Sequence, residues 1–459
     1  MPDIAIMGGL NASLLIASQA LQTMQGAIGA TSNNIANANT PGYTREVPQF
    51  TESPLSQNGN VVIGGGVNLT GLQSVRDQLL SLQIQNQTSL QSSADTQSSI
   101  LQQVETNFTT TGGDITSALS AFSSSLVRLS ANPLSSAVQQ GVISSGQNLA
   151  RAFNTTSNAL TSAQAGADTQ VTQTVAQINT LTKQIAQLNG QVAQLTAAGK
   201  DTGTTQDQRD ELVQQLSKLT GLSVMQTSEG ETITTGNGTP LVIGNQSFTL
   251  QTTTGGDGMQ HVLDYGGHDI TTSIKEGQLG GSIELRDQVI PGFLTQLDSL
   301  ASEFTTSFNA AQAQGFDSKG NAGQSFFSVP ASGAAAGMSV TISDPALVAI
   351  SSDGSEGSNG NVANLSAALT APLPSGQSVS QAYAYLVDQV GTAASDAKTQ
   401  STAIGQNLLQ LNNQQGSVSG VSIDEETTNL IRFQTAYQAA ARVVSTIQQL
   451  NSVTINMIS

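Results

Sequence analysis

Asn33-Asn34-Ile35-Ala36-Asn37-Ala38-Asn39-Thr40-Pro41-Gly42-Tyr43-Thr44-Arg45 is the stretch that decides how the rest of this 459-residue chain is read. Upstream of it, Met7, Leu10, Leu14, Ala17, Leu21, Met24, Ile28, Thr31 and Ile35 recur at steps of three and four. That spacing lines apolar side chains along one side of a helix, with Thr31 the polar exception. Asn39, Thr40, Pro41 and Gly42 end the helix, because proline has no amide hydrogen to give and pushes the residue before it towards extended backbone. The far end of the chain answers with Leu430, Phe433, Tyr437, Ala440, Val444 and Ile447, after which the apolar face drifts through Leu450 to Met457. Two seam helices at opposite ends predict that the termini pair as a coiled coil, with everything else hung between them.

Composition removes several function classes. There are 14 Lys plus Arg against 31 Asp plus Glu, a net charge of -17. Such a surface repels a nucleic-acid backbone and an anionic membrane alike. Charged residues make up only 10%. The polar surface is built instead from Gln, Ser, Thr and Asn, which stays wet without strong repulsion and suits packing against copies of the same chain. With no cysteine there is no disulfide framework, thiolate metal site or cysteine nucleophile. No run approaches the roughly 18 apolar residues that a bilayer span needs. The start carries Asp3 and no Lys or Arg before Arg45, and Asn11, Ser18, Gln19 and Gln22 interrupt its apolar residues, so it does not read as a cleavable signal peptide.

Along the chain, Pro48 and Pro54 make Val47 to Asn60 extended, and Val61 to Leu69 reads as a hairpin leading into helix. Gly64-Gly65-Gly66 is followed by a strand pattern and no lysine, which argues against a phosphate cradle. Helical spacing runs from about Ser74 to Leu160, with pauses at Gly112-Gly113 and Asn132-Pro133; Leu79, Leu82 and Ile84 open the first helix. A further helix carries Val171, Ile178, Leu181, Ile185, Leu188, Val192 and Leu195 at near-heptad spacing, which fits antiparallel packing inside one domain or, alternatively, an intermolecular coiled coil. Gly199 ends it, and Asp207, Asp210 and Glu211 read as a solvated helix start favoured by the helix dipole. From Leu222 to about Leu279, short Thr- and Val-rich runs alternate with Gly turns, the signature of a small β-domain. His261 and His268 lie there, flanking Asp264; two histidines and one carboxylate in a turn-rich hairpin read as solvent-facing and not as the three or four converging ligands a metal needs. Helix resumes at Gly281, Ser351 to Asn361 reads as a mobile loop, and a helix from Val379 to about Leu411 is broken by Gly416 to Gly420. Asp424, Glu425 and Glu426 open the last helix.

The expected fold is mainly α with an inserted small β-domain. Residues 1–60 and 416–459 form the terminal coiled-coil domain. Residues 61–221 and 281–415 form a helical middle domain with a short β/loop portion at about 315–378, and residues 222–280 form the β-domain, expected farthest from the terminal pair. A two-helix pair buries each seam only in part, so both termini are expected to be largely disordered or loosely helical in the free monomer and to fold on assembly. Head-to-tail contacts that do not close by rotation build a helical tube. No nucleophile with a base and no carboxylate pair in a cleft points to an enzyme, and no cofactor is implied.

These residues also carry a resemblance. Asn33 to Arg45 is similar to the N-terminal signature of bacterial flagellar axial proteins of the rod, hook and hook-associated type, through Asn33, Asn34, Asn37, Thr40, Pro41, Gly42, Tyr43, Thr44 and Arg45. Ser419 to Gln448 (SGVSIDEETTNLIRFQTAYQAAARVVSTIQ) resembles, more narrowly, the hook-associated protein 1 (FlgK) family, as do Gly64 to Leu80 and Asp207 to Leu222. The resemblance implies a structural subunit at the hook–filament junction, secreted through the flagellar type III export channel. Its implied partners are copies of itself, the hook protein, a second hook-associated (junction) protein and an export chaperone on the C-terminal helix. Met7, Leu10, Leu14, Leu21, Met24, Ile28 and Ile35 would form one half of the assembly interface. Leu430, Phe433, Tyr437, Ala440, Val444 and Ile447 would form the other. The family's Met-Leu-rich tail is replaced here by Gln448-Gln449-Leu450-Asn451-Ser452-Val453. A hook or distal rod protein, or an adhesin-like surface protein using the β-domain, are the other readings.

Overall fold

The computed structural model describes residues 2–54, 56–58, 61–109, 114–227 and 230–458, with side chains throughout these apart from residues 2–8, 56–58, 61–63, 107, 109 and 457–458. The Gly112-Gly113 pause and the side chains of Met7 and Met457 lie outside the described part. Helix α1 (Pro2–Ala36) and the last helix, α10 (Ile423–Ile458), pack antiparallel to one another. Strands β1 (Glu46–Glu52), β2 (Ser56–Asn58), β3 (Val61–Ile63) and β4 (Val67–Ser74) follow the signature turn. The hairpin expected within 61–69 forms differently: β3 pairs back with β2, and β4 with β1 from Glu46↔Ser74 to Glu52↔Val67. Pro48 is tolerated because β1 is an edge strand of a two-stranded sheet. The sheet lies on α1, where Thr23 Oγ1 donates to Val67 O at 2.9 Å. Gly26 meets the Leu69 side chain closely there: a Cβ would come within 2.4 Å of Leu69 Cδ2, so the leucine would have to shift.

The body contains α2 (Gln78–Thr109), α3 (Ile115–Ala131), α4 (Ser136–Ala197), α5 (Gly203–Leu219), α6 (Gly277–Glu284), α7 (Ile290–Ala313), α8 (Val362–Thr370) and α9 (Val379–Ser419). Leu80 and Ile84 are buried in α2 while Leu79 is exposed, so the face of its first turns is set one residue later than Leu79 suggests. The Asn132-Pro133 pause separates α3 from α4, but α4 runs without interruption for 62 residues and is stopped by Gly199 at φ +62°. Gly416 lies inside α9, which ends only at the cap residue Gly420. Helix α9 runs antiparallel along α2, with Ser401 hydrogen-bonded to Asp95.

Two apolar cores lie along α4. One joins its first half to α3, α7, α8, the start of α9 and strands β11 (Phe327–Ser328) and β12 (Ser339–Val340). Phe122, Phe304, Phe308, Phe326 and Phe327 meet there with ring centroids 4.8–5.9 Å apart, the separation of edge-to-face pairs. The other joins Val171, Ile178 and Ile185 of its second half to α5, α6 and the β-rich segment. The near-heptad stripe is thus consumed within the chain.

The β-rich segment comprises β5 (Leu222–Thr227), β6 (Gly230–Thr235), β7 (Pro240–Ile243) and β8 (Gln246–Ser247) in one antiparallel sheet, plus the β9 (Gln251–Thr254)–β10 (Gln260–Leu263) hairpin. It shares its core with α4 and α5 and is the part of the body near the terminal pair: Val224 and Glu231 line the same cavity as Tyr43 and Thr44. The expectation that it lies farthest away is therefore wrong. The antiparallel return of α4 carries residue 197 back towards the signature turn, and the segment after it inherits that position. Residues 351–361, expected as a mobile loop, have buried ends: Ser351 is buried, and Asn361 is fully buried and donates to Ala311 O and Ala349 O, while most of residues 352–360 are exposed.

Phe122 is fully buried at the centre of the aromatic cluster. Phe122→Ala is expected to lower unfolding free energy by about 3–5 kcal/mol, measured by urea denaturation at constant m-value.

Candidate functional site

The signature turn forms a clasp. Asn37 closes the end of α1: its N–H bonds Asn33 O at 3.0 Å and its Nδ2 bonds Asn33 Oδ1 at 2.9 Å, while Thr40 Oγ1 donates to Asn37 Oδ1 at 3.1 Å. Pro41 and Gly42 then reverse the chain, Gly42 at φ +77°, a conformation glycine adopts without strain. Asn34 is 1% exposed. Its Oδ1 accepts from Glu46 N at 3.0 Å and Tyr43 Oη at 2.8 Å, and its Nδ2 donates to Glu46 O at 2.8 Å and Glu426 Oε2 at 3.0 Å. One amide thereby joins α1, the turn, β1 and α10.

Arg45 completes the join. Its Nε pairs with Glu426 Oε1 at 2.9 Å and its Nη1 with Glu425 at 2.8 Å, while its backbone N–H donates to Ser419 O at 3.0 Å. Glu426 is 2% exposed, so this is a buried ion pair with its remaining oxygen satisfied by Asn34. The sequence places Asp424, Glu425 and Glu426 at the helix start for the dipole, but it gives no local sign that Glu426 meets Asn34 and Arg45 from almost four hundred residues away.

A second set of bonds ties the clasp to the body. Asp207 accepts from Thr44 N at 3.1 Å and pairs with Arg76 at 2.7 Å, and Arg76 also pairs with Asp210. Asp207 lies past the first turn of α5 and is largely buried, which corrects its reading as a solvated helix start. Arg209 pairs with Glu231 of β6 at 2.8 Å. Burial, followed by repulsion from Asp201 and Asp207, pushes Glu46 up to about 7. Burial also pushes Glu231 up to about 7 against the opposing pull of Arg209. Burial and then the charge of Glu46 raise the Tyr43 phenol, so it stays a neutral donor. Sequence reading missed Glu46, Arg76, Arg209 and Glu231, because nothing in their local spacing announces partners brought in by the fold.

Along the terminal pair, the described large side chains of the expected α1 seam (Leu10, Leu14, Leu21, Met24, Ile28 and Ile35) are half-buried. The residues of α1 that are buried are small: Ala17, Thr23, Ala27, Ala30, Thr31 and Asn34. On α10, Phe433 and Ile447 are buried, Leu430, Ala440 and Val444 half-buried, and Tyr437 exposed. Phe433 meets Phe50 of β1 edge-on at 6.2 Å. Leu15, Ile431, Val443, Leu450, Val453 and Ile455 are about half to three-quarters exposed, leaving the pair with an open apolar surface. In the β-rich segment, His261 bonds Asp269 at 2.6 Å and Asp257 at 3.2 Å, and His268 bonds Asp264. Among the described residues no group of three His, Asp or Glu is arranged to hold a metal ion.

Arg45→Ala leaves the Glu426 carboxylate buried without its cation, which is expected to cost about 3–5 kcal/mol. Adding Glu426→Gln should recover a large part of that loss, because the neutral amide needs no counter-ion. A double-mutant denaturation cycle with no recovery would contradict the pairing.

Residues 101–327 match the family model described as the flagellar hook-associated protein FlgK helical domain. Residues 414–457 match the flagellar basal body rod FlgEFG protein C-terminal model, and residues 14–44 the flagella basal body rod protein model. Flagellar hook-associated protein 1 of Bacillus subtilis (strain 168) is 31% identical over 493 residues, covering 96% of this chain and 97% of its own length. That of Escherichia coli (strain K12) is 26% identical, covering 96% and 98%. The structure of the flagellar hook junction protein FlgK from Burkholderia pseudomallei shares the fold, with a TM-score of 0.67 at 19% identity over 74% of this chain and 100% of that one. With these matches the chain belongs to the flagellar hook-associated protein 1 (FlgK) family, whose members are structural proteins and not enzymes.

Proposed function

We propose that the chain forms the hook–filament junction, assembling through its terminal helices into a tubular ring on which the filament grows. The observation that carries this reading is the open apolar surface of the terminal pair. Leu15 of α1 and Ile431, Leu450 and Val453 of α10 remain exposed after the two helices have packed on each other. An elongated, exposed apolar face on a soluble chain marks a protein contact, and neighbouring copies presenting the same pair cover it if each docks head-to-tail. The clasp suits this task because it fixes the pair relative to the body, so that a geometry set at the terminal helices reaches the outer parts of each subunit.

In this reading the hook protein lies on one side of the ring and a second hook-associated protein on the other. The half-exposed seams order fully only in the assembly, and an export chaperone covers α10 until secretion to the cell exterior. The expected partners follow from the family; the apolar face supports the reading because it needs such covers.

A strain lacking this protein is expected to build hooks, lack filaments and release flagellin into the medium. Filaments of normal length on that strain would reject the junction role. Ile431→Glu with Leu450→Glu should leave the circular dichroism of the isolated chain unchanged, since neither side chain is in a core, while complementation of filament growth falls at least tenfold by electron microscopy.

A further inference from the structure

The joint between the terminal unit and the body is built around an acid with no cation of its own. Glu46 of β1 is 3% exposed and its Oε1 has no hydrogen-bond partner. Strand β4 and helix α1 meet it with the uncharged Ser74 and Asn34, and the other neighbours bring titratable or charged groups. The α4–α5 link brings Asp201, α5 brings Asp207, the segment before α2 brings Arg76, and the signature turn brings Tyr43. Beyond these, Asp210 faces Arg76, and Glu426 of α10 meets Asn34, whose amide holds the Glu46 backbone. The guanidinium that faces Glu46, that of Arg76, gives its terminal nitrogens to Asp207 and Asp210 while its buried Nε stays unpartnered and makes no ion pair with Glu46, and that of Arg45 is paired with Glu425 and Glu426.

The packing leaves no room for an alternative. A Cβ at Gly203 would lie 2.0 Å from Glu46 Oε1 and 3.1 Å from Ser74 Oγ, so α5 approaches the carboxyl with bare backbone. A carboxylate enclosed in this way without a counter-charge is expensive, whereas a carboxylic acid is not, and it can offer its proton to a neighbouring carboxylate. Asp201 is positioned to take that hydrogen bond.

We propose that the terminal unit is latched to the body by a proton held on Glu46 and directed at the Asp201 carboxylate, and that loss of this proton to solvent releases the latch while both units stay folded. The sign follows from the neighbours. Burial, then Asp201 and Asp207, raise Glu46 to about 7, and burial also raises Asp207. The closed joint is therefore free of charge penalty below the ordinary carboxylate range. The penalty grows as pH rises past it and is complete above about 7. The joint is tight on the acid side and loosens on the alkaline side, an adjustable hinge between the helices that assemble and the body they carry. The inference concerns the isolated chain and holds whichever position in the flagellar axis it occupies.

The chain has no cysteine, so two can be introduced at exposed positions, Ser32 on α1 and Thr204 on α5, and spin-labelled in the full-length protein. Pulsed electron paramagnetic resonance should give one narrow distance near pH 5.5. A second, broader population should grow about tenfold per pH unit from the ordinary carboxylate range up to about pH 7 and level off above it, with far-UV ellipticity unchanged. Glu46→Gln, which cannot ionise, should keep the narrow distance at pH 8.5. A single pH-independent distance in the parent, or the same opening in Glu46→Gln, overturns the proposal. Should Glu46→Gln fail to fold, Asp201→Asn provides the second arm. Removing the like charge lowers Glu46 in the closed joint, so the pH-dependent rise of the open population should level off at lower pH and with smaller amplitude, and an unchanged pH profile overturns the proposal as well.

Discussion

One buried amide holds this architecture together. Asn34 presents an acceptor and two donors in a fixed plane, and it uses them on the N–H and C=O of Glu46 as a neighbouring strand would, while also reaching Tyr43 and Glu426. No other uncharged side chain of that length offers both polarities. Aspartate would lose the donors and set a charge against Glu426; leucine would leave the Glu46 backbone groups buried and unpaired. The clasp also shuts the longest loop in the molecule, because Asn34 and Glu426 lie at opposite ends of the chain. Everything between them folds with its two ends already anchored to one place.

The scarcity of charge gives the joint its character. A chain with only 14 Lys plus Arg places Arg45, Arg76 and Arg209 where the terminal unit meets α5 and the β-rich segment, each shared between two carboxylates. Acids outnumber them there, and Glu46 is left over. Elsewhere the body is held by hydrophobic packing and by Asn and Thr side chains bonded to backbone, as with Asn189 on Glu231 O and Gly244 O, or Asn361 on Ala311 O. Because α4 runs 62 residues and contributes to both apolar cores, one continuous helix connects them.

Reading the chain for large apolar side chains finds the terminal helices but picks the wrong face as their tightest contact. Ala17, Ala27 and Ala30, with Thr23 and Thr31, are what α1 buries. Small residues permit close backbone approach to β4 and α10, as Gly26 shows against Leu69. The Leu and Ile stripe sits beside this seam, half-covered. Hydrophobic periodicity weights side chains by size, so a seam of alanine and threonine is nearly silent in it. Strand β6 was hidden for a related reason: Glu231 occupies a buried position in its alternating pattern, and a carboxylate there reads as surface until its Arg209 partner is known.

The sequence by itself determined the helices and where they stop. Proline at 41, glycine at 42 and 199, and the three-four spacing act within a few residues of where their effect appears, and local sterics suffice to read them. It also determined that the chain is acidic, thiol-free and built like an axial subunit. Tertiary structure alone decided that the β-rich segment lies beside the signature turn, that Asp207 is paired with Arg76 and Thr44 and is not a solvated cap, that Asn361 is buried, and that Glu46 makes no ion pair. Each of those depends on groups far apart in the chain arriving at one point, and a buried charge or amide takes its meaning from whichever neighbours the fold supplies.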